Sequence, residues 1–474
     1  MKYHKIFGFL AFVSILSCSS KSFVISKRSG SEKPNILILH IDDLGYHDLS
    51  ATGSKIYQTP NVDNLANESI RFTNAYANFP RCVPSRFAMF TGDYPVQDGS
   101  VPDDGFAISG LPGDRNYIQH LDSIGYQTAY FGKWHLGNNP KDIGFEYSFA
   151  AGRAGSPISY LYPYNTPKGH NNNVKKEPIR DLEEIAKKGE YLTDVLTDQV
   201  IQYITNHDKS KPFMTVLAFY AVHQPLEAKN ADIVRNKKEI NAFDFGQRPE
   251  YVNEGTGRTK MRQDNPVYAA MVENMDENVG KLLKMLKDQG LEKNTIVIFS
   301  SDHGGLSNDG YKKRDLATSN FPLRAGKGWL YEGGVKVPLF IKWPGHVKPR
   351  EENESLVMLM DILPTLLDIT SGEKLNTNGK SILPVINNKA NWKNRTIYWH
   401  SPNARPNNTG DTESSAIRQG DYKLINWYKE GRTELYNIAK DPSESHDLSK
   451  EMPELTNILL SALNQWKSGL NVKS

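Results

Sequence analysis

Several short stretches of this chain carry residue types that can do chemistry. Asp42-Asp43 directly follows the apolar run Asn35–Ile41. Adjacent carboxylates at the end of a buried strand repel each other and lose hydration unless a cation or an arginine lies between them. For this pair alone two readings are open: a metal site, or a helix N-cap followed by a first-turn acid. A second apolar run, Thr295–Ser301, ends in Asp302-His303-Gly304-Gly305. Acids delivered at the carboxyl ends of two strands can meet in one crevice, which favours the metal. Carboxylate oxygens suit hard Ca²⁺ or Mg²⁺, while His303 leaves Zn²⁺ open.

Arg81-Cys82-Val83-Pro84-Ser85-Arg86 reads as a helix start, continued by Phe87, Met89 and Phe90. A helix N-terminus and two arginines favour negative charge, which points to a thiolate nucleophile or a modified residue. The plainer alternative is a buried small hydrophobe. Lys133 and His135, in Phe131-Gly-Lys-Trp-His-Leu-Gly137, can face one cavity from a glycine-bounded turn, or be a solvent-reaching lysine beside a core histidine. His223 follows the apolar stretch Phe213–Tyr220, and Lys327 lies in the glycine-rich segment Arg324–Gly334. Together these place basic groups at several strand ends around one metal, which makes an anion site.

The elements that must position these groups alternate. Strands are expected at Asn35–Ile41, Tyr126–Phe131, Pro212–Tyr220, Thr295–Ser300 and Val337–Ile341. Between them lie amphipathic helices, one opening at Thr59-Pro60, others carrying Ile118/Leu121/Ile124, Leu192/Val195/Leu196/Val200 and Met271/Met275/Val279/Leu282/Leu286. The methionines are read as core. Such alternation predicts an α/β, doubly wound, mostly parallel sheet flanked by helices, with ligands at the carboxyl ends of its strands. Polar segments at about 138–190 and 224–264 are read as surface insertions near the site mouth. From about residue 390 short strands and a closing helix at about 453–467 predict a smaller α+β subdomain with an antiparallel sheet. The expected division is 34–385 and 386–474.

Lys2, Lys5 and the apolar stretch Ile6–Leu16 precede Ile15-Leu16-Ser17-Cys18, which resembles a lipobox. Residues 1–17 are expected to be a signal peptide and 18–33 a tether lipidated at Cys18, with a plain secretory signal as the alternative. No acidic cluster follows Cys18, which favours a periplasm-facing anchor over the cell surface. Composition adds exclusions. With 57 Lys+Arg against 54 Asp+Glu in 474 residues the chain does not advertise a nucleic-acid partner, and two cysteines are no disulfide scaffold.

Taken together the motifs are similar to those of the formylglycine-dependent (type I) sulfatases, within the alkaline-phosphatase-like superfamily. The resemblance rests on Cys82-x-Pro84-Ser85-Arg86 with Thr91-Gly92, on Asp42-Asp43, Gly132-Lys133-Trp134-His135, Asp302-His303-Gly304 and Lys327, and on the C-terminal Arg418–Ile425, Glu434–Asn437 and Asp441-Pro442; it spans roughly 33–470. It implies that a separate formylglycine-generating maturation enzyme oxidises Cys82, giving a hydrated aldehyde whose oxygen attacks sulfur. It implies one Ca²⁺, less readily Mg²⁺, held by Asp42, Asp43, Asp302, His303 and the oxygen of residue 82. Arg86 and His135 would orient the diol, and Lys133, His223 and Lys327 would neutralise sulfate, with His223 or Lys327 as general acid. The implied substrates are sulfated carbohydrates such as oligosaccharides of ulvan, carrageenan, fucoidan or glycosaminoglycans. Asp104, Arg153, His170 and Arg324 are candidates to read the sugar, and Trp329 to stack on it. The alternatives are a phosphate or phosphonate ester hydrolase on the same scaffold, or a non-catalytic glycan-binding lipoprotein.

Overall fold

The computed structural model describes residues 1, 33–96, 101, 116–137, 139–165 and 177–470. The expectations for Cys18, Asp104, His170 and the leader lie outside the described residues.

Asn35–Ile41 forms a strand in which all seven residues are buried. Its continuous apolar run follows from having a core on each face: Leu37, Leu39 and Ile41 enter one, Ile36 and Ile38 the other. It is central in an eight-stranded sheet. Thr295–Ser301, Asn35–Ile41, Phe213–Ala218, Gln127–Gly132 and Tyr147–Phe149 run parallel in that spatial order. In register, Ile38 lies between Ile298 and Val216, and His40 between Ser300 and Ala218. Beyond Thr295–Ser301 the sheet turns antiparallel, through Leu339–Lys342 and then Ile70–Phe72, with Glu351–Asn353 at the margin. The mostly parallel α/β sheet is therefore as expected, with Leu339–Lys342 running antiparallel to both its neighbours and Glu351–Asn353 parallel to Ile70–Phe72. Val337 falls outside the strand Leu339–Lys342; its N–H is taken by Ala75 O at 3.0 Å.

The long helix Pro266–Asp288 lays Met271, Met275, Val279, Leu282 and Leu286 on one face of the sheet, joined there by residues of Pro60–Asn67 and Leu192–Asn206. Residues of Cys82–Thr91, Tyr117–Ser123 and Ile362–Ser371 cover the other. The segment 224–264 is not a plain loop insertion. It holds the helix Asn230–Ala242 and a hairpin, Tyr251–Glu254 with Gly257–Lys260, to which Asn308–Asp309 adds a third strand. The helix buries only Asn236 and Ile240, too little to leave an apolar stripe in the sequence.

The C-terminal strands Thr396–Ser401, Ser414–Gln419, Tyr422–Trp427 and Arg432–Asn437 form an antiparallel meander. Leu459 and Leu463 of the helix Pro453–Gly469 cover Ile417, Leu424 and Leu435 on one face. Trp399, Trp427 and Tyr436 on the other pack with Ala325, Trp329, Leu330 and Tyr331 of the Lys327 loop. A buried charge cluster fastens that loop. Glu332 accepts from Tyr76 Oη at 2.8 Å and pairs with Lys423 at 3.0 Å; Lys423 also reaches Glu444 at 3.0 Å, whose other oxygen takes the Glu332 N–H at 2.6 Å.

Lys423→Met would leave the buried Glu444 without its cation and Glu332 with only Arg418, 3.7 Å away, a loss of about 3–5 kcal/mol. Burial already pushes Glu444 up to about 7 against the pull of Lys423. We expect the variant's loss of urea-unfolding free energy to approach that size at pH 8 and to shrink toward pH 6, as protonation removes the uncompensated charge. Equal losses at both pH values would show that the charge cluster is not the source.

Candidate active site

The parallel ladder ends where the chemistry begins. Asp42 N–H continues it to Ala221 O at 3.0 Å, Asp302 N–H to Ile41 O at 3.1 Å, and Lys133 N–H to Ala218 O at 2.8 Å. Three of the parallel strands thus release Asp42-Asp43, Asp302-His303 and Lys133 at one end of the sheet, as carboxyl ends of a parallel sheet do. Asp43 and His135 both adopt φ of 62°, a left-handed backbone that costs free energy in a non-glycine residue and is held here by the surrounding structure. The Cys82–Thr91 helix, buried along its length, brings Cys82, Ser85 and Arg86 to the same end.

The acids are balanced by cations from separate elements. Arg86 Nε donates to Asp302 Oδ2 at 3.1 Å, Nη1 to Lys133 O at 2.9 Å, and Nη2 lies 3.5 Å from Asp42 Oδ1. Lys133 Nζ donates to Asp42 Oδ2 at 2.6 Å and Lys327 Nζ to Asp43 Oδ1 at 2.7 Å. Asp43 N–H donates to Asp302 Oδ1 at 3.2 Å, and Ser85 Oγ to Asp302 O at 2.6 Å. The Cys82 thiol sits in the middle, 3.2 Å from His303 Nε2 and 3.7 Å from Lys327 Nζ, with His135 also hydrogen-bonded to it. His303 Nε2 is 3.3 Å from Asp43 Oδ1 and 3.5 Å from Asp302 Oδ1. His223 Nδ1 pairs with Gln224 O at 2.6 Å, leaving Nε2 3.7 Å from Asp43 Oδ2.

These contacts set the charge states. Burial pushes the Asp42 carboxyl up against the pull of Lys133, whereas Asp43 is held below the usual range because His223, Lys327 and His303 outweigh burial. Burial alone would raise the Cys82 thiol; Lys133, Lys327 and His303 instead hold it well below the ordinary thiol range. Burial lowers His223 to about 3 despite Asp43.

Asp42, Asp43, Cys82 and His303 each present a donor atom within 4.8 Å of the others, all buried, and Asp43 Oδ2 has no hydrogen-bond partner. Carboxylates, an imidazole and an orphaned acceptor make a donor set that fits a divalent cation. Asp302 flanks this group.

The structure brings together Asp42, Asp43, Cys82, Arg86, Lys133, His135, His223, Asp302, His303 and Lys327. It does not free Arg324 to read substrate, a correction to the sequence reading. That guanidinium forks onto Glu254, with both contacts at 2.9 Å, and donates to Glu444 O. Trp329 is buried, donates to Thr409 O at 2.8 Å and stacks on Tyr331, so packing accounts for it. Arg153 is exposed and adjoins Gly152, whose carbonyl accepts the His135 N–H at 2.9 Å. Sequence reasoning missed Tyr160, whose hydroxyl reaches the carbonyls of Tyr220 at 2.5 Å and His223 at 2.9 Å and so fixes the His223 turn. A single tyrosine in a polar stretch carries no sequence signal for that role.

An α/β sheet with acids, a histidine and cations clustered at its carboxyl edge defines a hydrolase of the alkaline-phosphatase-like kind. The Sulfatase family profile matches residues 34–372, and that of N-sulphoglucosamine sulphohydrolase, C-terminal, matches 325–468. The chain belongs to the sulfatase family and hydrolyses sulfate esters. A sulfatase of Formosa agariphila is 31% identical over 95% of this chain and 90% of its own length. The N-acetylgalactosamine-6-O-sulfatase of Bacteroides thetaiotaomicron is 26% identical over 96% of this chain and 97% of its own. The crystal structure of Ps i-CgsB in complex with k-i-k-neocarrahexaose is 30% identical with a TM-score of 0.71, covering 92% of this chain and 93% of that one.

A cation bound by the folded acids stabilises the fold by mass action, about 2.7 kcal/mol at a hundred times its Kd. We expect added calcium to raise the melting temperature and chelator to lower it, and Asp43→Asn to flatten that response. A melting temperature indifferent to both additions in the unmutated protein would remove the metal site.

Proposed function

We propose that this sulfatase acts on sulfated carbohydrates, with residue 82 carried as formylglycine and one Ca²⁺ held by Asp42, Asp43, Asp302 and His303 beside it. The observation that carries this reading is the setting of Cys82. Its thiol lies at a helix start among His303, Lys327 and the acids, where a merely structural cysteine would have apolar neighbours. When present, formylglycine supplies a hydrated aldehyde as nucleophile, and calcium a hard cation that polarises sulfate oxygens.

The chain's own residues supply the rest. Arg86 and His135 orient the group at position 82. Lys133 and Lys327 neutralise charge on the sulfate oxygens in a buried site, where such charge is hardest to bear. His223 or Lys327 gives the proton to the leaving sugar oxygen. The carbohydrate substrate class is supported by relatives named for N-acetylgalactosamine 6-sulfate and by one solved with a neocarrahexaose. Cys18 is proposed as the lipid attachment of a periplasm-facing anchor, tested by incorporation of a labelled fatty acid that Cys18→Ser abolishes.

Sulfate release from carrageenan, ulvan, fucoidan and glycosaminoglycan oligosaccharides and from a small aryl sulfate, after co-expression with a maturation enzyme, tests the main reading. We expect release from one glycan class, lost on chelation and reduced about 10³-fold or more by Cys82→Ala. Mass spectrometry should find residue 82 converted to the aldehyde. Release from the aryl ester alone would overturn the carbohydrate reading, and preferential turnover of a phosphonate ester would restore the alternative chemistry.

A further inference from the structure

Arg314 is a half-buried cation without an anion. Among the described residues its hydrogen bond is neutral, Nη2 donating to Gln224 Oε1 at 2.6 Å, and no carboxylate pairs with it. Other cations on the same walls are matched: Arg258 with Asp309 at 2.9 Å, Lys260 with Asp264 at 2.5 Å and Glu250 at 3.8 Å. Asp315 next to it is exposed, and it is the Asp315 backbone oxygen that Gln224 Nε2 uses, at 2.7 Å. Burial weakens the hold of Arg314 on its proton, and the acids whose charge it feels are Asp43 and Asp309. A guanidinium partly withdrawn from water with no counter-charge is a cost to the folded protein.

Arg314 lines a cavity of about 730 Å³, inside the roughly 300–1,000 Å³ range of small-molecule sites. Phe243, Phe245 and Tyr251 give it aromatic walls, and Asn241 adds a polar side chain. This mixture suits a ring with apolar C–H faces and a polar rim. Gln224 joins the cavity to the catalytic centre: its side chain meets Arg314, and its carbonyl pairs with His223 Nδ1, whose ring lies beside Asp43.

We propose that this cavity is a subsite for the sugar adjoining the sulfated ring, and that Arg314 determines specificity by pairing with a carboxylate on that neighbour. The proposal rests on the carbohydrate reading above. A guanidinium fork matches planar or tetrahedral oxyanions with two parallel N–H donors, and among the described residues Arg314 uses only Nη2, on Gln224.

The test uses a pair of oligosaccharides sharing one sulfated ring, the neighbouring ring carrying a carboxylate in one and its carboxyl-reduced form in the other. kcat/KM for sulfate release is measured with the mature wild-type enzyme, Arg314→Gln and Arg314→Lys. A charge-assisted hydrogen bond corresponds to a wild-type preference of about tenfold or more for the charged substrate. We expect that preference, carried mainly by KM, to vanish in Arg314→Gln and to survive in part in Arg314→Lys. The wild-type comparison stands even if a variant fails to fold. Equal rates in the wild type, or a preference that persists in Arg314→Gln, would overturn the subsite while leaving the carbohydrate reading intact. Release from the aryl ester with none from either oligosaccharide would overturn that reading and this proposal with it.

Discussion

Putting Asp42, Asp43 and Asp302 out of water within reach of one another is the constraint on which the rest of the fold depends. Desolvation alone costs several kcal/mol per ion, and like charges add to it. The chain meets this with cations from three different places: Arg86 from a helix, Lys133 from a strand end, and Lys327 from a glycine-rich loop. None of these can be placed by local structure, so the sheet, the helix on its second face and the loop must all be formed before the acids are tolerable. A divalent cation among the acids would take over their neutralisation. Lys133 and Lys327 would then be available to an anionic substrate, so the groups that make the centre foldable are also those that make it an anion site.

The Lys327 loop shows how far the constraint reaches. A Cβ on Gly304 would lie 1.8 Å from Gly333 O, and one on Gly334 2.0 Å from Trp329 O. The backbones therefore touch, and only glycine permits the approach. From beneath, the C-terminal meander holds the loop through Trp329, Tyr331, Glu332 and Lys423. The C-terminal meander thus bears on the chemistry by positioning the lysine opposite Asp43.

Legibility in the sequence followed burial. Asn35–Ile41 occupies the residues expected of it, because a strand with a core on each face repeats apolar residues and little else. Ile70–Phe72 and Glu351–Asn353 are three residues each, too short for a period, and owe their strand character to distant partners. Within the site, Asp42, Asp302, Lys133 and His223 were readable because each follows such a run, at the edge where parallel sheets put their ligands. Arg324 and Trp329 lie in the same loop as Lys327, yet the first is engaged by Glu254 and the second by core packing. Loop composition alone could not separate these fates, since partners 70 and 80 residues away decide them.

Arg314 presents the reverse case. Lys312-Lys313-Arg314-Asp315 reads as a solvated run of charge, and only after Lys313 is seen to pair with Asp309 does Arg314 stand apart. Asp42, Asp302 and Lys133 sit on the ends of buried strands, which are apolar-flanked and therefore conspicuous. The proposed substrate-reading surface sits on a polar helix, a hairpin and connecting turns, whose side chains differ from ordinary surface only in what they fail to pair with. Gln224 joins the two regimes, since its carbonyl pairs with the His223 imidazole and its side chain with Arg314. A ligand group that pulls on Arg314 therefore pulls on the residue that orients His223. In this proposal specificity and turnover are coupled, because one residue, Gln224, serves both.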